Sequence, residues 1–219
     1  MIAFDFAAVL VEWPMLARGA AVTIALTAVS ATVGVSLGIA CAWARLHGPA
    51  WLKAIAGAYV ELIRNTPFIV QLFFIFFGLP GIGVRLSPEV ASVLAMVVNL
   101  GAYSAEIVRA GIATTPRGQI EAAQSLALSE MQVFTRVVLP PALKRVWPAL
   151  VSQIIIVMLG SAVCGQISTP ELQYAVNLIQ SRNFRAFEAY LIGTLLYLAL
   201  AMALRRLLQW VGPRFVFGR

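Results

Sequence analysis

Four charged side chains interrupt otherwise apolar stretches, and they come as two pairs of one spacing: Glu61 with Arg64, and Glu106 with Arg109. Residues three apart share a helix face, so each pair can close an ion pair worth a few tenths of a kcal/mol in water. In hydrocarbon an isolated charge costs roughly 2.5–3.5 kcal/mol on insertion scales, so these groups must pair, face a bundle interior or sit at an interface. Two readings follow. The pairs anchor helices at the headgroups, or Arg64 and Glu106 border a polar pathway and offer opposite charges to the carboxylate and ammonium of a zwitterion. Asn65, Gln71, Asn99 and Tyr103 could then supply hydrogen bonds, Asn99 sharing a helix face with Tyr103 and Glu106. A buried asparagine can equally serve only to bond a neighbouring helix. Either way the chemistry is recognition, not bond making.

Other reactive side chains point the same way. Cys41 and Cys164 lie inside apolar segments with no metal-ligand spacing, and the one histidine, His47, stands alone beside Gly48-Pro49 as a solvated loop residue. Both lysines, Lys53 and Lys144, follow leucine, so the Gly-Lys-[Ser/Thr] of a phosphate-binding loop is missing. No nucleophile has a base at a suggestive spacing. No cleavable leader is expected, because Asp5 and Glu12 stand where basic residues would precede the apolar run.

The elements that must hold the charged pairs are set by composition. Of 219 residues, 61% are hydrophobic and 11% charged, against about 25% charged in a soluble domain. Mean hydropathy is +0.88. A span needs about 20 apolar residues. Charge-free runs cover Gly19–Ala44, Asn65–Val84, Val90–Ala105, Val146–Pro170 and Ala189–Leu204. They predict an all-α integral membrane chain of five spans. The second begins near Ala54 and the third continues to about Ala110. Leu79-Pro80-Gly81 and Ser87-Pro88 bracket a short turn. Gly34 and Gly38 in span one have the spacing that lets helix backbones approach closely, and Asp5–Pro14 could form a short interfacial helix. The basic residues behind the net charge of +7 fall in ones and twos between apolar runs, which suits topology signals and argues against nucleic-acid binding.

With the N-terminus outside, Arg45, Lys53, Arg117, Arg136, Lys144, Arg145, Arg205, Arg206, Arg214 and Arg219 fall inside, and Arg18, Arg85, Arg182 and Arg185 fall outside. Basic residues accumulate on the cytoplasmic side, so an external N-terminus and a cytoplasmic C-terminus are expected.

One polar island, Pro116–Pro140, then lies in the cytoplasm. Gln119–Leu126 is built from strong helix formers. Ser129 with Gln132 three residues on is a capping box that starts a second short helix, expected to end before Leu139-Pro140-Pro141. Leu126, Leu128, Met131, Val133 and Phe134 are too many apolar side chains for a solvated loop and require a partner surface or the chain's own membrane domain.

Glu121-Ala122-Ala123, followed eight residues later by Ser129 and then by Arg136-Val137-Val138-Leu139-Pro140, resembles the EAA loop of ABC importer permeases. Tyr59–Pro67 with Gln71-Leu72-Phe73-Phe74, Gly101–Ile112 and Pro116-Arg117-Gly118-Gln119 resemble the polar amino-acid permeases of the histidine/glutamine/arginine type. The resemblance runs from about Gly19 to Leu172. It implies a type I importer permease fold: one transmembrane domain over residues 1–219, core 19–210, with a coupling helix in a cytoplasmic loop, 113–145, between spans three and four. It implies that Glu121, Ala122, Ala123, Ser125, Leu126, Ala127, Leu128 and Ser129 couple to a separate ATPase dimer. That dimer would hold ATP-Mg, and this chain would hold no cofactor. Further implied partners are a second permease subunit, the same chain or a homologous one, a periplasmic solute-binding protein, a polar amino acid and the lipid of a bacterial inner membrane.

Two departures stand out. Relatives usually carry glycine where this chain has Ala127. A left-handed turn kept there costs an alanine roughly 1–2 kcal/mol. Many relatives also carry a polar pair late in span four, where this chain has Leu159-Gly160-Ser161, so no role tied to that pair carries over. An ion-coupled secondary transporter, and a membrane scaffold or receptor whose loop docks a cytosolic partner, are the alternative functions.

Overall fold

A computed structural model of the chain describes residues 4–216, and its described residues contain helices and no strand. Arg219, counted above among the cytoplasmic basic residues, lies outside the described residues. A single turn, α1 (Ala7–Leu10), precedes the longest helix, α2 (Trp13–His47). Then come α3 (Ala50–Arg64), α4 (Phe68–Phe73), α5 (Pro88–Ala113), α6 (Arg117–Ser125), α7 (Glu130–Gln132), α8 (Leu139–Gly160), α9 (Leu172–Asn183) and α10 (Ala186–Val211). Four stretches are long and apolar enough to cross a membrane: Trp13–His47, Pro88–Ala113, Glu130–Ile167 and Ala186–Arg214.

The fifth crossing is not the continuous helix expected over Asn65–Val84. Ala50–Arg64 and Phe68–Ile82 meet at a 111° bend. The cause is Pro67. Its ring disfavours helical backbone at Thr66 and it has no N–H to continue the ladder. Pro80 and Pro88 read as breakers in the sequence, whereas Pro67 is masked by the charge-free run around it.

Helices α2 and α5 form the most extensive pair. The face α2 buries is a row of mostly small residues: Gly19, Thr23, Leu26, Ser30, Gly34, Gly38 and Ala42. Such residues let helices approach where lipid supplies no hydrophobic drive. A Cβ at position 38 would lie 2.5 Å from the Ser104 Cβ and 2.9 Å from the Ala105 nitrogen. Gly38→Ala should therefore cost about 1–3 kcal/mol of stability, and Ser104→Gly should recover part of it. Thermal unfolding in detergent measures both, and an equal cost with and without Ser104→Gly would rule the contact out.

Between α8 and α10 sits α9, which the charge-free runs did not reveal. Leu172, Ala175, Val176 and Ile179 bury one helical face against Leu16, Val9 and Ala189. Its N-cap, Glu171, is fully buried. The carboxylate accepts from the backbone N–H groups of Gln173 (2.8 Å) and Tyr174 (2.6 Å) and from the Tyr197 hydroxyl (2.6 Å). Burial pushes this carboxyl above the ordinary range, and the Tyr197 hydroxyl and the two N–H groups oppose that rise. A raised folded value means that stabilisation is fullest below the ordinary carboxylate range and is lost as pH rises through the raised value. The unfolding temperature should fall across that window, and Glu171→Gln should flatten the profile.

The island segment also departs from expectation. Its second helix does not stop before Leu139. Glu130–Gln132 passes through a π turn, Val133–Val138, directly into α8. The widened turn leaves Pro140 and Pro141 in the first turn of α8, where no N–H is required.

Candidate functional site

Two clusters answer to the residues singled out by sequence, one at the bend and one on the island. At the bend, the last carbonyls of α3 have no partner within the helix itself. Side chains take them up. Asn65 Nδ2 donates to the Glu61 carbonyl (2.8 Å) and Thr66 Oγ1 to that of Leu62 (2.8 Å). Gln71 Nε2 reaches the carbonyls of Ile63 (2.8 Å) and Thr66 (3.0 Å), while Gln71 Oε1 accepts from Asn99 Nδ2 (2.9 Å). Asn65 and Gln71, expected as pathway hydrogen bonders, thus close the helix ends. Asn99 also borders a cavity of about 90 Å³ with Phe68, Ile156, Val157 and Gly160.

Below the bend the charges regroup. Glu61 makes no ion pair among the described residues, so the expected Glu61–Arg64 pair is absent. Glu106 and Arg109 do pair, Arg109 Nη2 lying 2.8 Å from Glu106 Oε2. Arg64 Nη1 stands 4.0 Å from the same carboxylate, and its guanidinium lies 5.6 Å above the Tyr103 ring, a cation–π distance. A third guanidinium, Arg45, contacts Glu106 Oε1. No local signal pairs a residue at the end of α2 with one 61 positions on, and the sequence marks Arg45 only as a topology charge. The Glu106 carboxylate is engaged by three guanidiniums, and the cluster carries a surplus of positive charge.

On the island, α6 ends in a turn whose hydrogen bonds define a Schellman motif. The Ala127 N–H donates to the Gln124 carbonyl (2.9 Å) and the Leu128 N–H to that of Ala123 (3.4 Å). Ala127 adopts φ 55°, so the left-handed conformation is kept without glycine. The Ser129–Gln132 capping box forms as expected. Of the apolar side chains, Val133 and Phe134 are buried with Val108, Ile112 and Ala42. Leu128 is half-buried against the same cluster. Leu126 (76% exposed) and Met131 (50% exposed) alone of the five remain open. Glu121, Ala122 and Ser125 are exposed and Ala123 is buried. His47 is exposed, its ring stacked on Trp43 and edge-on to Phe134. The alanine strain is testable. Ala127→Gly should stabilise the folded chain by about 1 kcal/mol, the left-handed penalty less the added freedom of the unfolded chain, read as a rise in unfolding temperature.

Residues 34–217 match the sequence profile of the family described as "Binding-protein-dependent transport system inner membrane component". The chain is 35% identical over 208 residues to the L-cystine transport system permease protein TcyB of Bacillus subtilis (strain 168), covering 91% of this chain and 89% of the relative. It is 33% identical over 208 residues to the glutamine transport system permease protein GlnP of Escherichia coli (strain K12), covering 94% and 95%. Among solved structures, a crystal structure of an amino acid ABC transporter with histidines superposes with TM-score 0.85 at 33% identity, covering 95% of this chain and 98% of that one.

Proposed function

We propose, because this chain belongs to the family of binding-protein-dependent transport system inner membrane components, that it lines the path of a polar amino acid through a bacterial inner membrane and is driven through its α6–α7 turn. The chain is the permease subunit of an ATP-driven amino-acid importer and is not an enzyme. ATP is hydrolysed on a partner chain. In the proposed assembly two permease subunits, each a single transmembrane domain, meet an ATPase dimer that holds ATP-Mg, and a periplasmic solute-binding protein delivers the substrate. The excess of basic residues at the island end supports a cytoplasmic island and an external N-terminus.

The observation that carries the coupling role is the contrast within the island. Val133, Phe134 and Ala123 anchor it to the ends of α2, α5 and α8, while Leu126 projects from a hydrogen-bonded turn and stays 76% exposed among the described residues. An exposed apolar side chain on a fixed turn is the form of an interface anchor. Glu121, Ala122, Ser125 and Ser129, exposed on the same segment, complete the proposed docking face. For the pathway, Arg64 and Tyr103 offer a half-exposed guanidinium beside an aromatic ring. With Asn99 facing the 90 Å³ cavity, this suits the carboxylate end of an amino acid better than its ammonium end.

Uptake of labelled amino acids into liposomes tests the reading. The chain, its ATPase and its binding protein together should accumulate substrate only with ATP, and continue when ion gradients are collapsed. Uptake that persists without ATP and stops with the gradient would make the chain an ion-driven carrier.

A further inference from the structure

An apolar groove runs between α2, α8 and α10. Its upper part, about 500 Å³, is lined by residues that include Thr27, Ile154 and Leu204. Its lower part, about 300 Å³, adds Val35 and Trp147. The two parts share Ala31, Thr32, Ile154 and Leu208, so they are one channel. From Ile24 to Ile39 on α2 it extends roughly 22 Å at ~1.5 Å per residue.

We propose that this groove holds one acyl chain of an anionic phospholipid. Three observations carry the assignment. The groove lies on helices long and apolar enough to cross a membrane, so its surroundings are lipid or another subunit. Its two hydroxyls are already spent: Thr27 Oγ1 donates to the Thr23 carbonyl (2.7 Å) and Thr32 Oγ1 to that of Ala28 (2.9 Å). The walls therefore present methyl and methylene groups, which fit an acyl chain and offer nothing to an amino acid. The third observation is charge. Exposed Lys144 follows the lining residue Leu143 at the end marked by Trp147, and exposed Arg205 and Arg206 stand between Leu204 and Leu207 of the upper part, within one turn of Leu208, which both parts share. None of the three basic residues is in an ion pair among the described residues. Trp147 sits at the same end, its indole N–H donating to the Leu208 carbonyl (3.1 Å).

The same charges argue against a second copy of the chain as occupant. A two-fold interface sets a patch against itself, and here it would set basic rim against basic rim. An anionic headgroup reverses that sign, and each lysine or arginine near an anionic lipid surface strengthens the attraction about fivefold.

The groove-lining indole supplies the test. In the assembled transporter, Trp13→Phe, Trp43→Phe, Trp51→Phe and Trp210→Phe leave Trp147 as this chain's only tryptophan. Tryptophans of the partner chains are replaced likewise. In phosphatidylcholine nanodiscs, a small fraction of brominated-chain phosphatidylglycerol should quench Trp147 several-fold more than the same fraction of brominated phosphatidylcholine. Arg205→Gln with Arg206→Gln should remove that preference. Native mass spectrometry of the unsubstituted complex provides a second readout, in which phosphatidylglycerol should survive detergent dilution that strips phosphatidylcholine. Equal quenching by the two lipids overturns the headgroup assignment. No quenching by either means that a protein surface covers the groove, and overturns the proposal outright.

Discussion

Replacing Leu126 with aspartate is expected to lower substrate-stimulated ATP hydrolysis of the reconstituted complex by about 100-fold, the scale of losing an apolar interface anchor worth ~2–4 kcal/mol. The permease chain itself should fold and insert as before. Leu126 is 76% exposed, and the turn beneath it is held by backbone hydrogen bonds to Ala123 and Gln124 that no side chain at 126 supplies. Leu128→Asp is the informative control. That side chain packs against the cluster of Val133 and Phe134, so the substitution should lower both coupling and thermal stability. Co-purification of the ATPase separates the two effects. If Leu126→Asp leaves ATPase binding and stimulation intact, the docking assignment is lost.

Glu106→Gln is expected to lower the unfolding temperature by about 5 °C, equivalent to ~2 kcal/mol for a chain of this size. The carboxylate is the single acid among Arg45, Arg64 and Arg109. Removing it leaves three cations facing one another. Stripping one partner from a fully buried ion pair costs about 3–5 kcal/mol. Arg64 and Arg109 are about two-fifths exposed, so solvent screening takes the expected cost below that range. Arg45→Met in the same chain should restore part of the loss, because it removes the least exposed of the three guanidiniums. An unchanged melting profile for Glu106→Gln would show that the cluster is held by solvent and not by its carboxylate.

What the sequence revealed and what it hid divide along physical lines. Long charge-free runs report burial in lipid directly, so α2, α5, α8 and α10 could be read from composition. The capping box at Ser129 is local chemistry and formed as expected. Three features did not follow. The bend at Thr66-Pro67 was hidden because the run around it is uniformly apolar, so hydropathy outweighed the conformational restriction at Pro67. The continuation through Pro140-Pro141 was hidden because a π turn upstream changes what those prolines mean. The Arg45–Glu106 contact was hidden because it joins helices far apart in sequence. Helix α9 differs from these. Its buried residues at 172, 175, 176 and 179 carry a clear helical period, but the segment is too short and polar to register as a span.

At the bend, a count of hydrogens has a consequence of its own. The Gln71 amide has two hydrogens and lies within bonding distance of three oxygens: the carbonyls of Ile63 and Thr66 and the hydroxyl of Thr66. Two hydrogens are enough, because the Thr66 hydroxyl is a donor in its own right, giving its proton to the Leu62 carbonyl (2.8 Å), and the Ile63 carbonyl also accepts from the Thr66 N–H (3.5 Å). One amide thus closes the break in the span, and a side chain without those two hydrogens at position 71 would leave the Thr66 carbonyl to water.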